Sequence, residues 1–337
     1  MTGFTFVTTT TTQTEGANRP AVEWDKLNAH VVEAAGNGKV RSIPGVISGL
    51  IDLGEQNLEH GSEVSTATEE EEAAEMAKQT QEEIDARSGV YFADGIDQDT
   101  GKAARLRFYP RKPVQQLAVM VDFPQVPVDK GQYFGNSNPL PLRMILNGEF
   151  TLKGEKVKVV GKPYNIKEMN HADKGQKAVW AFAKNNGIHK LADAAGILDD
   201  DGLFRKGNIG KLLGKIVQFQ FRVWMKPAKS GDAKFFTEEI KLVGMVPEGV
   251  PLPEIPEGIL HGVNLYSDND PEAVKQLRVA VKNTQKRANN YVGSPLAAML
   301  DAGQTHQAAP QETPKEKAPG ITPKVQDPEA FDDDVPF

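Results

Sequence analysis

Alternation of apolar and polar residues predicts β-strands along much of the chain. The clearest case lies in residues 211–227, where every second residue from Val217 to Met225 is apolar. Side chains along a strand point alternately to its two faces, so this pattern gives one apolar and one polar face. A turn at 229–232 and a strand at 234–243 complete a predicted hairpin. The polar face of its first strand carries Gln218, Gln220, Arg222, Trp224 and Lys226.

Other segments show the same two-residue period. Residues 43–53 predict a first strand whose glycines allow a sharp bend, and residues 104–111 predict a strand that pairs with 117–123. Residues 142–151 and 155–162 predict another hairpin. Basic and aromatic side chains share single strand faces: Arg105, Arg107, Tyr109 and Arg111 on one, and Lys156, Lys158 and Lys162 on another.

A period of 3.6 residues predicts helices between the strands. Residues 24–35, residues 174–195 and the segment from 270 onward each have an apolar side, and the second is interrupted near 185–187. Residues 63–86 have a helix-forming composition with almost no apolar stripe, which predicts an exposed helix or a disordered insertion. The apolar sides contain Trp24, Leu27, Val31 and Val32, then Trp180, Phe182, Ile188 and Leu191, and finally Val274, Leu277 and Val281.

Six or seven strands with inserted helices and no regular βαβ alternation predict a mainly β, α+β fold. We expect an oligonucleotide-binding (OB) barrel with helical insertions, because this barrel presents neighbouring strands as an open face. A long loop is predicted at 125–141, where Tyr133 and Phe134 are expected to pack locally. The predicted organisation is a disordered N-terminus at 1–20, an OB-like domain at 21–265 with an acidic insertion at 63–85, a helical extension at 266–303, a flexible linker at 304–331 and an acidic tail at 332–337.

The formal net charge of −7 is distributed unevenly along the chain. Residues 63–85 contain nine acids and one lysine, and residues 304–337 contain seven acids and three lysines. These two segments carry −8 and −4, so the remaining residues carry +5. A mildly basic body with acidic appendages is typical of a protein in which an acidic arm competes with nucleic acid for a basic groove.

Composition and motifs argue against several classes of function. The chain has no cysteine, which excludes disulfides and thiolate metal sites, and its six histidines show no ligand spacing. It has neither a Gly-x-x-x-x-Gly-Lys phosphate loop nor a Gly-x-Ser-x-Gly elbow. Asp199, Asp200 and Asp201 precede Gly202 in a predicted solvated turn. We therefore expect no enzyme activity, cofactor or metal, and the lack of a signal or long apolar segment favours a cytoplasmic protein.

Binding of single-stranded DNA requires cations along the phosphates and aromatic planes on which bases stack. The polar strand faces supply both kinds of group, and Trp224 has no core partner evident in the sequence. The ordinary interpretation is that exposed strand faces carry Arg, Lys and Gln, and that a Trp covers a second layer. The predicted DNA-binding residues are Arg105, Arg107, Tyr109, Arg111, Lys156, Lys158, Gln220, Arg222, Trp224 and Lys226.

The last six residues combine acidity with an apolar end: Asp332, Asp333, Asp334, Val335, Pro336 and Phe337. Acidity alone would suit a solubilising tail, but an aromatic ring beside a carboxylate suits a pocket with an apolar cleft and a cation. This segment resembles the acidic tail of bacterial single-stranded DNA-binding proteins, usually Asp-Asp-Asp-Ile-Pro-Phe, with Val335 in place of Ile. The body resembles divergent single-stranded DNA-binding proteins of tailed bacteriophages in residues 111–116 and 129–139.

The resemblance implies a protein that covers single strands during DNA replication, recombination and repair in the cytoplasm of a host bacterium. It also implies that the tail recruits a polymerase, helicase, primase or repair factor. We expect the tail carboxylates to occupy the basic face when DNA is absent. Two alternatives stay open: a decoy that captures host replication proteins through its tail without binding DNA, and a ring-forming strand-annealing recombinase.

Overall fold

The computed structural model describes residues 23–302 except 153 and 228–233. Strand residues outnumber helix residues and the ladders are antiparallel apart from one short pair, which confirms the predicted α+β class. None of the described helices is long and apolar enough to cross a membrane. The predictions that lie outside the described residues concern the N-terminus at 1–20, the turn at 229–232, the linker at 304–331 and the tail at 332–337.

The described residues form fourteen strands, seven α-helices and two short 3-10 helices. The strands are β1 (Arg41–Gln56), β2 (Gly61–Val64), β3 (Tyr91–Ile96), β4 (Ala103–Tyr109), β5 (Val114–Val128), β6 (Leu140–Ile145), β7 (Glu149–Leu152), β8 (Val157–Val160), β9 (Tyr164–Asn165), β10 (Glu168–Asn170), β11 (Trp180–Phe182), β12 (Ile216–Pro227), β13 (Lys234–Gly244) and β14 (His261–Val263). The α-helices are α1 (Trp24–Ala34), α2 (Glu69–Met76), α3 (Gln81–Asp85), α4 (Gly187–Ala194), α5 (Pro271–Lys275), α6 (Val279–Lys286) and α7 (Pro295–Ala302), and the 3-10 helices are Gly131–Phe134 and Lys206–Leu212.

One sheet organises the molecule, with its strands in the order β13, β12, β1, β5, β6. The central strand β1 pairs with β12 through residues 41–46 and with β5 through residues 46–56. Shifts in the β1–β5 register lie between Ile47 and Gly49 and between Asp52 and Gly54, and such bulges bend a strand. The predicted first strand is therefore confirmed as a long, bent strand with a partner on each side.

Inward-facing side chains of all five strands form one core. Phe123 lies beside Phe219 and Phe221, with ring centroids 6.2 and 4.4 Å away. The backbone of β1 passes close to these rings because residue 45 is glycine: a Cβ on Gly45 would lie 2.7 Å from Val121 and 2.9 Å from Phe123 and Phe219. Helices α1 and α4 cover this core with the predicted apolar residues Leu27, Val31, Val32, Ile188 and Leu191.

The two outer strands, β6 and β13, approach one another, but their described residues form no hydrogen-bonded ladder. Arg278 lies across this gap, 2.5 Å from the Glu238 carboxylate on β13 and 3.1 Å from the Glu149 carboxylate on β7. Arg278 is desolvated and the two carboxylates raise its pKa, so it stays charged. The sheet therefore encloses its core without closing into a hydrogen-bonded barrel among the described residues.

A second layer covers the outer side of β1, β5 and β6. Helices α5, α6 and α7 pack there with β8 and β14 around Ile51, Met120 and Ile145. Both faces of β5 are consequently buried, whereas the outer side of β12 and β13 carries exposed Gln220, Arg222, Lys226, Glu239 and Lys241. Val274, Leu277 and Val281 are buried as predicted, although the predicted single helix divides into α5 and α6.

The predicted pairing of 104–111 with 117–123 is wrong. Strand β4 belongs to a separate sheet with the order β2, β4, β3, whereas β5 pairs with β1 and β6. Residues 61–109, which we call the arm, leave the end of β1 and return to the start of β5. Alternation defined the faces of both strands correctly but contains no information about their partners.

The predicted helix at 174–195 is correct only for α4. Residues Trp180–Phe182 instead form β11, which pairs with β10. Phe182 is buried as expected, but the Trp180 residue is 57% exposed. Trp24, expected on the buried side of α1, is 60% exposed and packs edge-on against Phe134, with centroids 6.1 Å apart.

We predict that Phe221→Ala lowers the free energy of unfolding by about 3–5 kcal/mol, because it opens a cavity in the shared core. Urea denaturation followed by circular dichroism measures the change. Phe150→Ala is the control, since Phe150 is exposed and its removal should change stability by less than about 1 kcal/mol. Similar small losses for both variants would contradict the central place of Phe221.

Candidate nucleic-acid interface

The outer side of the β12–β13 hairpin brings together four of the predicted DNA-binding residues. We call this surface the strand face: Gln220, Arg222, Trp224 and Lys226 on β12, with Thr237, Glu239 and Lys241 on β13. Cross-strand register places Gln220 opposite Lys241 and Arg222 opposite Glu239. Gln218 shares the alternation but is buried, and its amide donates to the Ser42 hydroxyl at 2.9 Å.

Arg222 and Trp224 form a stacked pair on this face. The guanidinium carbon lies 4.7 Å from the centroid of the indole ring, a cation–π distance. The Arg222 Nε–H also donates to the Gly38 carbonyl at 2.8 Å. Gly38 has φ of +79°, which favours glycine, in the turn that follows α1. The turn fixes the guanidinium above the ring, and a nucleobase can stack on either kind of plane.

The charge of the strand face is moderately positive. Arg222, Lys226 and Lys241 supply three cations, and Glu239 supplies the single carboxylate, whose oxygen lies 3.3 Å from Lys241 Nζ. An exposed ion pair of this kind is weak, so it leaves the lysine available to a phosphate. Lys241 was not among the predicted DNA-binding residues, although the hairpin pairing of 211–227 with 234–243 would place it opposite Gln220.

The basic face of β4 is occupied by acids of the arm itself. Arg105 lies 2.9 Å from the Glu72 carboxylate and 3.2 Å from that of Asp94. Arg107 lies 2.5 Å from the Glu75 carboxylate and 2.9 Å from that of Glu63. The hydrogen bonds from Arg105 and Arg107 hold the pKa values of Glu72 and Glu75 below their ordinary value. A phosphate would have to displace these carboxylates to reach either guanidinium.

Capping explains why the acidic segment folds without an apolar stripe. The Thr68 hydroxyl accepts a hydrogen bond from the Glu71 N–H at 3.3 Å, and the Glu71 carboxylate accepts one from the Thr68 N–H at 2.8 Å. Thr80 and Glu83 form the same capping box at the start of α3. The predicted exposed helix is confirmed as two short capped helices, and α2 lies against the basic face of β4.

Tyr109 and Arg111 lie at the end of β4 and do not reach the strand face. The Tyr109 ring packs on Gly61, where a Cβ would lie 2.6 Å from the ring, and Arg107 stands 5.6 Å from its centroid. The Arg111 Nε–H donates to the Glu59 carbonyl at 2.7 Å. The arm begins beyond the last residue of β1, whereas β12 pairs with the first six, and β4 and β12 belong to separate sheets. The two predicted faces therefore do not form one groove.

Lys156 and Lys158 lie on the β7–β8 hairpin, in which Glu149–Leu152 pairs with Val157–Val160. The predicted hairpin of 142–151 with 155–162 is correct only in this part, because Leu140–Ile145 forms β6 and pairs with β5. Both lysine side chains are exposed, and Lys156 adopts φ of +54° in the turn. The hairpin packs against α6, where the Asn283 amide donates to the Lys158 carbonyl at 2.9 Å. These lysines therefore belong to the C-terminal layer and not to the strand face.

A cleft of about 590 Å³ on the outer side of β5 and β6 was not predicted. Its floor contains buried Asp122, held by Arg143 at 2.8 Å, and its rim contains Lys130, Asn138 and Gln276. Although the Lys130 side chain is partly exposed to solvent, desolvation of its ammonium and the nearby charge of Arg278 lower its pKa. The residues converge from the two halves of the chain, so no local sequence signal could reveal the cleft.

The described residues contain no group of three or more His, Asp or Glu side chains that could hold a metal ion. Asp199 and Asp201 lie in a turn and each binds Arg205 at 2.5 Å. No protein-family model, curated protein sequence or solved structure matches the chain. Function is therefore inferred from the geometry and chemistry of these surfaces.

We predict that Glu72→Gln combined with Glu75→Gln loosens α2 from β4, because both ion pairs across the interface are lost. Hydrogen exchange of the amides of residues 69–76 should become roughly three- to tenfold faster. The control combines Glu69→Gln with Glu70→Gln, which removes equal charge from the same helix without touching either arginine. Equal acceleration in both double variants would show that the ion pairs do not hold the helix.

Proposed function

We propose that this chain binds single-stranded DNA without strong sequence preference, and that the strand face is its contact surface. The observation that carries this proposal is the Arg222–Trp224 stack. It is flanked by exposed Lys226 and Lys241 on a part of the sheet that no second layer covers among the described residues. Phosphates would lie along the lysines, and bases would stack on the guanidinium and the indole ring. Contacts of this kind hold the backbone and the faces of bases, so they discriminate little among sequences.

An OB-type organisation is part of the same proposal. Five antiparallel strands around one core, with β6 and β13 side by side at the open edge, support a partly open barrel of this type. In such a barrel β1, β5, β6, β12 and β13 would be the five strands in chain order. The arm would then be the connection between the first two strands, and 228–233 the connection between the last two. OB domains use these two connections to bind oligonucleotides.

The acidic segment 332–337 would supply the second part of the function. Its resemblance to the tails of bacterial single-stranded DNA-binding proteins supports recruitment of replication, recombination or repair proteins to single-stranded DNA that the protein has bound. The aspartates would steer the segment to a basic surface, and Pro336 and Phe337 would enter an apolar cleft. The body's resemblance to phage single-stranded DNA-binding proteins favours a phage origin for the chain.

The decoy alternative is favoured by one observation, the internal neutralisation of Arg105 and Arg107. Without these two residues, the cations available on the predicted DNA faces are fewer than the sequence suggested. A decoy would bind replication proteins through 332–337 and show no affinity for single strands. The strand face nevertheless argues for DNA binding. Trp224 is half-buried beneath Arg222, and a face that only contacted solvent would not need an aromatic ring at that position.

We predict that Trp224→Ala weakens binding of a dT oligonucleotide by roughly 5- to 150-fold, since loss of one base stack removes about 1–3 kcal/mol. Fluorescence anisotropy at fixed salt measures the dissociation constant. Trp224→Phe should bind with intermediate strength, and Trp180→Ala, which removes an exposed Trp elsewhere, should stay within about twofold of the unchanged protein. Equal affinities for Trp224→Ala and Trp180→Ala would exclude the strand face, and no binding by any of the proteins would favour the decoy.

We predict that two pairs of cations contribute unequally to DNA binding. Each phosphate contact on a single strand contributes about 0.7 to the slope of log K against log salt, so Lys226→Gln with Lys241→Gln should reduce this slope by about 1.4. Arg105→Gln with Arg107→Gln removes the same charge but should leave the slope unchanged, because those guanidiniums already hold carboxylates. Anisotropy titrations at several salt concentrations measure both slopes. The reverse order would place the DNA on the arm.

A further inference from the structure

A groove of about 440 Å³ lies on the C-terminal layer between α6 and α7. Its apolar wall consists of Val274, Val279, Met299 and Leu300, and its rim carries Lys275, Lys282 and Lys286. The Val279 residue is 67% exposed although it lies among these apolar neighbours. An apolar wall bordered by cations is the kind of surface that binds an acidic peptide with apolar residues.

Only one of the three lysines of this groove is paired with an acidic side chain in the described part of the chain. Lys275 has an acid partner, Glu272, at 2.5 Å. Lys282 and Lys286 form no salt bridge with any residue in the described part of the chain. Partial burial and the nearby charge of Lys286 lower the pKa of Lys282. An anion placed between these two ammonium groups would relieve their repulsion.

The acidic segment 332–337 has the complementary chemistry. Asp332, Asp333 and Asp334 supply three carboxylates, and the next three residues supply Val, Pro and Phe side chains. Helix α7 ends at Ala302 beside the groove, and 29 residues, 303–331, connect it to the segment. A chain of that length can extend about 95 Å, so its reach does not limit a return to the groove.

We propose that residues 332–337 bind intramolecularly in the α6–α7 groove, with their carboxylates at Lys282 and Lys286 and their apolar side chains on Val279 and Met299. The local concentration of a tethered peptide is on the order of millimolar, so a modest intrinsic affinity is sufficient for occupancy. This binding site differs from the strand face, which was the resting place expected from the sequence. While bound there, Pro336 and Phe337 would be hidden from other proteins.

Distances between spin labels on the full chain test this proposal. The protein has no cysteine, so pairs can be introduced without background labelling. One pair combines Ala298→Cys, on the exposed side of α7, with Ala330→Cys, just before the acidic run. A second pair combines Thr237→Cys, on the strand face, with the same Ala330→Cys. We expect a short, narrow distance distribution for the first pair and a longer one for the second, in the absence of DNA.

Charge variants then identify the groove. Lys282→Gln with Lys286→Gln should lower the ratio of docked to undocked molecules for the first pair by roughly two- to thirtyfold, the effect of losing two surface charge contacts. The matched control, Lys190→Gln with Lys211→Gln, removes two exposed lysines elsewhere and should leave the distribution unchanged. Each variant is checked for an unchanged circular dichroism spectrum before labelling.

Three results would overturn the proposal. The first is an unchanged distribution in the groove variant, and the second is a short distance from Ala330 to Thr237, which would place the acidic segment on the strand face. The third is a short distance that appears only between separately labelled chains, which would identify a second copy as the occupant. Because no DNA is present, failure here would leave the proposal for the strand face untouched, and failure of DNA binding would not affect the groove.

Discussion

Packing of five strands around the Phe123, Phe219 and Phe221 rings is the constraint on which the other features depend. Strand β1 must pair on both edges while its two faces are buried, and Gly45 permits the close approach that this requires. Segments that contribute no side chains to this core lie outside it. The arm leaves one end of β1, and the C-terminal helices α5, α6 and α7 cover the outer side of β1. The strand face is exposed because the second layer, in the part of the chain that the structure describes, ends at β1 and does not extend over β12.

The arginines and the lysines of the protein have different roles. Six arginines hold carboxylates in the described residues, and their planar, forked donors suit such pairs: Arg105, Arg107, Arg143, Arg205, Arg278 and Arg287. Exposed lysines remain on β12, on β13 and beside α7. The excess positive charge counted from the sequence therefore overstates the cations that a ligand could contact. Arg222 is an exception, since its partners are a backbone carbonyl and an indole ring.

Patterns within one segment predicted much of this fold, and relations between distant segments were missed. The faces of β12, the buried side of α1 and the core residues of α5 and α6 all follow from local periodicity. The partner of β4 does not, because alternation defines a face without naming a neighbour. Trp24 and Trp180 look like core residues by type, but the first lies at a helix end and the second on a three-residue strand. The acidity of 63–85 indicated a basic surface as its partner, and Glu72 and Glu75 do pair with arginines of β4, whereas competition with nucleic acid stays a prediction.

Separate surfaces for DNA and for the acidic segment would have a thermodynamic consequence. Two ligands that compete for the same residues are coupled, so DNA would release the segment and the segment would weaken DNA binding by the same factor. The strand face lies on β12 and β13, whereas the groove is built by α6 and α7 over β1, β5 and β8, and the two share no residue. Direct competition between them is then absent. Access of another protein to Pro336 and Phe337 would depend on how well it competes with Lys282 and Lys286 for the acidic segment. Binding of single-stranded DNA would proceed independently of that competition.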